Sequence, residues 1–349
     1  MRLPRTLDPG EGCYHVTSRI SGQRFLLNEN EKDILAGWLF RVAEFSGVTV
    51  LTFAMLDNHF HIMVKVPRVQ AVDDVVDDVE LVRRMRVLYD DDKTDRILSS
   101  WETWEKKGLH FKVVDAKAAL RCRMYDLSQF CKTFKETYSM SYNARNAHSG
   151  TIWGSRFTSS LLSKDYQTLM TIGAYIELNS VRARIVEEPD AYRWSGVGMA
   201  KRGHVGARNG IRALVAMAYR KESIDYETAI EAYESAIEGY IPSAERIDGE
   251  GTGETAVQHP QTFKLREVEA RIKKGEKLTL YEMLRCKVRH FSHGLAVGPA
   301  EFVHELVHGL TPGKDTVRRC DSCDEVELFT ARWLRGDDKV SVPKRRGVA

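Results

Sequence analysis

This sequence predicts an α+β fold: an antiparallel sheet that carries helices on one face. Three observations lead there. GCYHVTSRI, VTVLTFAML and HFHIMVKV are short apolar runs, rich in β-branched and aromatic residues, with turn residues at their ends. Longer stretches repeat apolar residues at helical spacing. Over the first ~200 residues these pieces follow the order strand, helix, strand, strand, helical insert, strand, helix.

The first strand covers GCYHVTSRI, from residue 12 to residue 20. Asn28 is placed to cap the next helix, whose apolar positions are Ile34, Leu35, Trp38, Leu39 and Val42, and Gly47 ends it. Two strands follow, joined at Asp57-Asn58 as an antiparallel hairpin. From about 69 to 147 the pattern is helical, ending at the polar break NAHSG. IWGSRFTSSLLS reads as the fourth strand. Ser163 or Asp165 then opens one helix through KDYQTLMTIGAYIELNSVRARI, and Pro189 lies just past its end.

Residues 201–349 read as an all-helical accessory domain. Its pieces are ALVAMAYRKESIDYETAIEAYESAIEGY, LREVEARIKKGE, LTLYEMLRCKVRHF, GPAEFVHELVHGL and a final VELFTARWLRG. IDGEGTGETAVQ, near 245–260, is the linker, and PKRRGVA is expected to fray.

The chain has 349 residues, 43% hydrophobic, enough for a core and for two domains. Its net charge of +3 permits local basic patches without requiring nucleic acid as a partner. The start MRLPRTLDPGEG has no apolar signal core. No apolar run reaches the length of a membrane span. Six cysteines in so long a chain do not form a disulfide framework. A reduced, cytoplasmic protein is the expectation.

The chemistry concentrates in two places. His59 and His61 flank Phe60 on a strand, so both imidazoles leave the same face. They form a pair suited to a metal ion. Tyr175 and Asn179 lie four residues apart and share a helix face. A tyrosine hydroxyl is a poor nucleophile unless a base or metal assists it. An ion held by two histidines and one side-chain oxygen, which Asn179 can supply, would polarise a phosphate and orient the attack. The alternatives are a structural or solvent-facing histidine pair and a core tyrosine.

NHFHIMVKVP, IWGSRFTSSLL and YIELNSVRARIVEEPDAYRWSG, in that order, resemble the single-tyrosine HUH transposases, nearest to the REP-associated tyrosine transposases. The resemblance spans roughly residues 10 to 200. It implies a ferredoxin-like HUH nuclease domain over 1–200, with a helical insertion at about 69–147. His59, His61 and Asn179 would hold Mg²⁺ or Mn²⁺, although ligand preference at two imidazoles equally admits Zn²⁺. Tyr175 would attack single-stranded or hairpin DNA, leaving a 5′-phosphotyrosine and a free 3′-OH, and strand transfer reverses the step. Members act as monomers or as homodimers that exchange the tyrosine helix. Two departures stand out. Asn179-Ser180-Val181 replaces Asn-Pro-Val, which bears on how the helix ends, and the insertion after His61 is long.

Arg182 and Arg184, just after the tyrosine, and Arg19 and Arg156 are candidate phosphate contacts. His15, in YHVTSRI, lies near the metal or touches DNA. Trp153, Tyr192 and Trp194 either stack on bases or anchor the core. Arg285, Lys287, Arg289 and His290 form a basic cluster, on either a DNA-contacting or an ordinary helix.

Two further motifs are set aside. His304-Glu305-Leu306-Val307-His308 fits H-E-x-x-H, but its helix is short and Thr311 stands where the extended zinc-protease form has Gly. Cys320-Asp321-Ser322-Cys323 lacks a second pair, and Cys286 with His290 would complete a zinc site only by tertiary approach. The rival functions are a domesticated DNA-nicking or DNA-binding protein, a regulator with a dead site, and an HExxH zinc protease.

Overall fold

The computed structural model describes residues 7–8, 10–239, 265–288, 291, 294–310, 317–320, 327–331 and 340–341. The linker at 245–260, Arg289, His290, the tail PKRRGVA, Asp321 to Cys323 and the side chain of His308 lie outside that set.

The N-terminal elements follow the sequence pattern. β1 is Gly12–Arg19, α1 Glu29–Ser46, β2 Thr49–Leu56 and β3 His59–Val66. Asn28 caps α1 by accepting from the Glu31 amide at 2.9 Å, a contact worth about 1 kcal/mol. Gly47 closes α1 at φ +65°, where a side chain would also meet Tyr125. The insertion holds α2 (Val72–Val75), α3 (Asp78–Leu88), α4 (Asp91–Lys106), α5 (His110–Arg121) and α6 (Leu127–Asn146).

Beyond the insertion the chain departs from expectation. The fourth strand, β4, covers only Thr158–Leu162, and Trp153 makes an isolated bridge to Ile20. The tyrosine helix is broken. α7 runs Tyr166–Glu177, capped by Asp165, and α8, Asn179–Arg182, follows across Leu178. Next come α9 (Gly196–Lys201), α10 (Val205–Ala218), α11 (Tyr226–Ile237), α12 (Leu265–Lys274) and α13 (Leu280–Arg285).

The all-helical expectation for the C-terminal region is corrected. It contains β5 (Lys287–Val288), β6 (Ala296–Gly298), α14 (Ala300–Leu310), β7 (Val317–Arg319), β8 (Phe329–Ala331) and β9 (Val340–Ser341). LYEMLRCKVRHF leaves the helix after Arg285, and VELFTARWLRG gives strand β8 where its sequence predicts a helix. A short apolar run does not distinguish strand from helix by its period. Here the open edges of β6 and β7 decide, and the Thr330 hydroxyl adds a 2.9 Å bond to the Ala296 carbonyl.

Among the described residues the main sheet has seven strands, in the order β2-β3-β1-β4-β6-β8-β7. All pairs are antiparallel except β4 with β6, which is parallel. Helices cover both faces, not one. On the Phe60 face, Phe60 meets Phe134 of α6 and Trp153, each at 5.4 Å between ring centroids. Burying Phe60 this way stabilises by ~1.5–3 kcal/mol. On the opposite face α7 crosses β2 and β3. Trp153, Tyr192 and Trp194 are all buried, so they anchor the core. Among the described residues, no helix is long and apolar enough to cross a membrane.

Candidate active site

The period-2 alternation of β3 places His59 and His61 on the α7 side of the sheet. The register sets Arg19 opposite His59 and Thr17 opposite His61. α7 then brings Tyr175 over this face. The Tyr175 ring lies 6.2 Å from that of His61 and 6.3 Å from that of His15, edge-on to both. The His59 and His61 rings are 5.3 Å apart.

His15 is buried in the centre of this cluster. Its Nε2 is 2.9 Å from Nδ1 of His61, and its Nδ1 is 3.0 Å from the Phe291 carbonyl oxygen. It therefore lies beside the histidine pair, in the interior of the cluster. His61 is also buried. Burial holds its pKa well below the usual histidine range, and the neighbouring His15, His59, Arg182 and Arg19 push the same way. His59 is half-buried, and its Nδ1 is 2.7 Å from Oδ1 of Asn58.

Asn179 begins the turn after the helix break. Its amide nitrogen donates to the carbonyls of Tyr175 (3.3 Å) and Ile176 (3.1 Å), which leaves Oδ1 as the end turned from those carbonyls. Among the described residues, no group of three His, Cys, Asp or Glu side chains is arranged to hold a metal ion. The expected donor set therefore depends on the Asn179 oxygen as its third member. Its chemistry fits a divalent cation, because His61 is kept neutral and Oδ1 is a carbonyl-type oxygen.

Arg182 does not reach out toward a ligand. Its guanidinium lies 3.9 Å over the Tyr175 ring and donates to the carbonyls of Leu284 (2.7 Å) and Tyr175 (2.5 Å). Burial pulls its pKa down, though a guanidinium stays charged. Arg184 has φ +57° after α8 and is partly exposed. Arg19 and Arg156 are exposed. Arg156 lies with Lys132, Lys135 and Phe157 along a groove beside α6. Arg285 is buried and stacks on Tyr281 at 3.6 Å, so it is not part of an exposed basic face.

Sequence reasoning missed the cover on the site. Tyr175 is only 3% exposed, and Phe291 packs on it at 5.3 Å. No local pattern links residues that far apart. It also missed Glu177, two residues after Tyr175 and fully buried among Thr52, Val197 and Tyr233. A lone acid inside the apolar run LMTIGAYIEL was the available signal. Of the two set-aside motifs, the side chain of His308, His290 and Cys323 lie outside the described residues. Glu305 is exposed, and the Cys320 sulfur meets Met283 at 3.7 Å.

No family model matches the sequence, and no curated protein matches it. Among solved structures, the chain is similar to a REP-associated tyrosine transposase bound to a REP hairpin. The TM-score is 0.37 and the identity 13%, covering 58% of this chain and 87% of that one.

Proposed function

We propose that this protein is a transposase-like DNA endonuclease that cleaves and rejoins single-stranded or hairpin DNA through Tyr175. The observation that carries the reading is the meeting of the H-x-H strand with the tyrosine helix. The His61 and Tyr175 rings lie 6.2 Å apart on one sheet face. Tyr175 Oη bonds to a backbone phosphorus and passes its proton to water. The 3′ oxygen leaves and takes a proton from water, so the 5′ phosphate stays on the tyrosine. Rejoining runs the same step backwards, because the phosphotyrosine keeps the energy of the broken linkage. His59, His61 and Asn179 would hold a divalent cation, Mg²⁺ or Mn²⁺, which would supply Lewis-acid polarisation of the phosphate. Arg19, beside His59 in the register, offers an exposed cation for the DNA backbone.

A second reading rests on the burial of Tyr175. With its ring 3% exposed, the site as built is closed, which suits a protein that binds DNA without cutting it. A covalent-adduct assay separates the two. The full chain is incubated with Mn²⁺ and single-stranded oligonucleotides, hairpins included, and peptide mass spectrometry locates any nucleotide. An adduct on Tyr175 that is lost in Tyr175→Phe, with hairpin binding retained, supports cleavage. Binding with no adduct supports the second reading, and cleavage by Tyr175→Phe refutes the first.

A further inference from the structure

We infer that His15 is a positioning residue that fixes which ring nitrogen of His61 carries the proton, an inference that rests on His61 serving in the proposed site. A carbonyl oxygen can only accept, so the 3.0 Å contact with Phe291 requires Nδ1 of His15 to donate. A neutral His15 then keeps its lone pair on Nε2. That nitrogen is 2.9 Å from Nδ1 of His61, so His61 donates from Nδ1 and carries its own lone pair on Nε2. The reverse arrangement needs a cationic His15, buried in the cluster that already holds the Arg182 guanidinium.

His59 reaches the same state by an independent route. The Asn58 amide nitrogen donates to the Gln23 carbonyl at 3.1 Å, which turns its oxygen toward Nδ1 of His59 at 2.7 Å. His59 therefore also donates from Nδ1 and keeps its lone pair on Nε2. Two unrelated partners thus set the same tautomer on both rings of the pair. A cation between such rings needs them neutral, with a defined nitrogen aimed at it, and outer partners of this kind supply that. A core with no such task would bury apolar side chains at these positions at lower cost.

The test uses full-length, metal-free protein labelled with ¹⁵N at histidine. Long-range proton–nitrogen correlation spectra identify the protonated nitrogen of each ring. The expected result is the Nδ1–H form for His15, His59 and His61. In His15→Leu the His61 signals become a mixture of tautomers, and Mn²⁺ affinity, read by electron paramagnetic resonance, falls about 10- to 100-fold. His15→Gln, which still presents an acceptor, restores the single His61 form and brings Mn²⁺ affinity back to within a few-fold. An Nε2–H form of His61 in the unaltered protein overturns the inference. So does a His15→Leu variant with an unchanged His61 spectrum and circular dichroism. If the unaltered protein binds no Mn²⁺, the proposed metal role fails separately, and the ring spectra still decide the part played by His15.

Discussion

Replacing Glu177 by Gln should flatten part of the protein's stability-versus-pH curve. Glu177 ends α7, the helix that carries Tyr175, and its carboxyl is fully buried. It accepts from the Thr52 hydroxyl, from the Val197 amide at 3.1 and 3.2 Å, and from the Tyr233 hydroxyl at 3.5 Å. These donors favour the carboxylate, but burial outweighs them and pushes the pKa up to about 7. The unfolded value is 4.5. Between those values the folded chain holds a proton that the unfolded chain has lost, so stability falls as pH rises. The contribution is complete below pH 4.5 and lost through pH 7. From pH 5 to pH 7 the loss is about 2 kcal/mol, the slope reaching about 1.36 kcal/mol per unit only well between the two values. Guanidinium denaturation of both proteins at pH 5 and pH 8 reads this directly. The Glu177→Gln variant should be less stable at pH 5, because its amide hydrogens face donors. Between the two pH values it should lose about 2.5 kcal/mol less than the native chain. Equal losses would mean that Glu177 is ionised throughout, and the burial argument would be wrong.

Three other outcomes follow from the same geometry. Phe291→Ala should raise the rate of adduct formation on Tyr175. Freeing a phenyl ring that costs ~1.5–3 kcal/mol to expose shifts the open form by roughly 10- to 100-fold. An unchanged rate, with folding intact, would show that Phe291 does not gate the phenol. His59→Ala and His61→Ala should each abolish the response of adduct formation to Mn²⁺ and to chelator while keeping the native circular dichroism spectrum; a preserved response would remove that histidine from the site. Gly210→Ala should destabilise by about 1–3 kcal/mol although alanine favours helices, because its Cβ would run into the Val50 and Leu51 carbonyls of β2. A rise in melting temperature would show that α10 can shift away from that strand.

By itself the sequence determined the features that depend on near neighbours along the chain. Alternation located β1, β2 and β3 and put His59 and His61 on one face, because a strand has a period of two. Asn28, Gly47 and Asp165 marked helix ends through their own backbone chemistry. The spacing of Tyr175 and Asn179 survived the break at Leu178, since one helical turn still links them through the amide bond to the Tyr175 carbonyl. Tertiary structure decided the rest. β6, β7 and β8 are three residues each, too short to carry a readable period, and they are strands because neighbouring edges offer hydrogen bonds. Helices occupy both faces of the sheet because Phe60 and His61 each need cover on their own side. The state of the site was the least legible part. His15 meets Phe291 across 276 residues of chain, and Arg182 turns inward onto Tyr175. Contacts between such distant segments depend on how the elements pack, and no local pattern of residues encodes them.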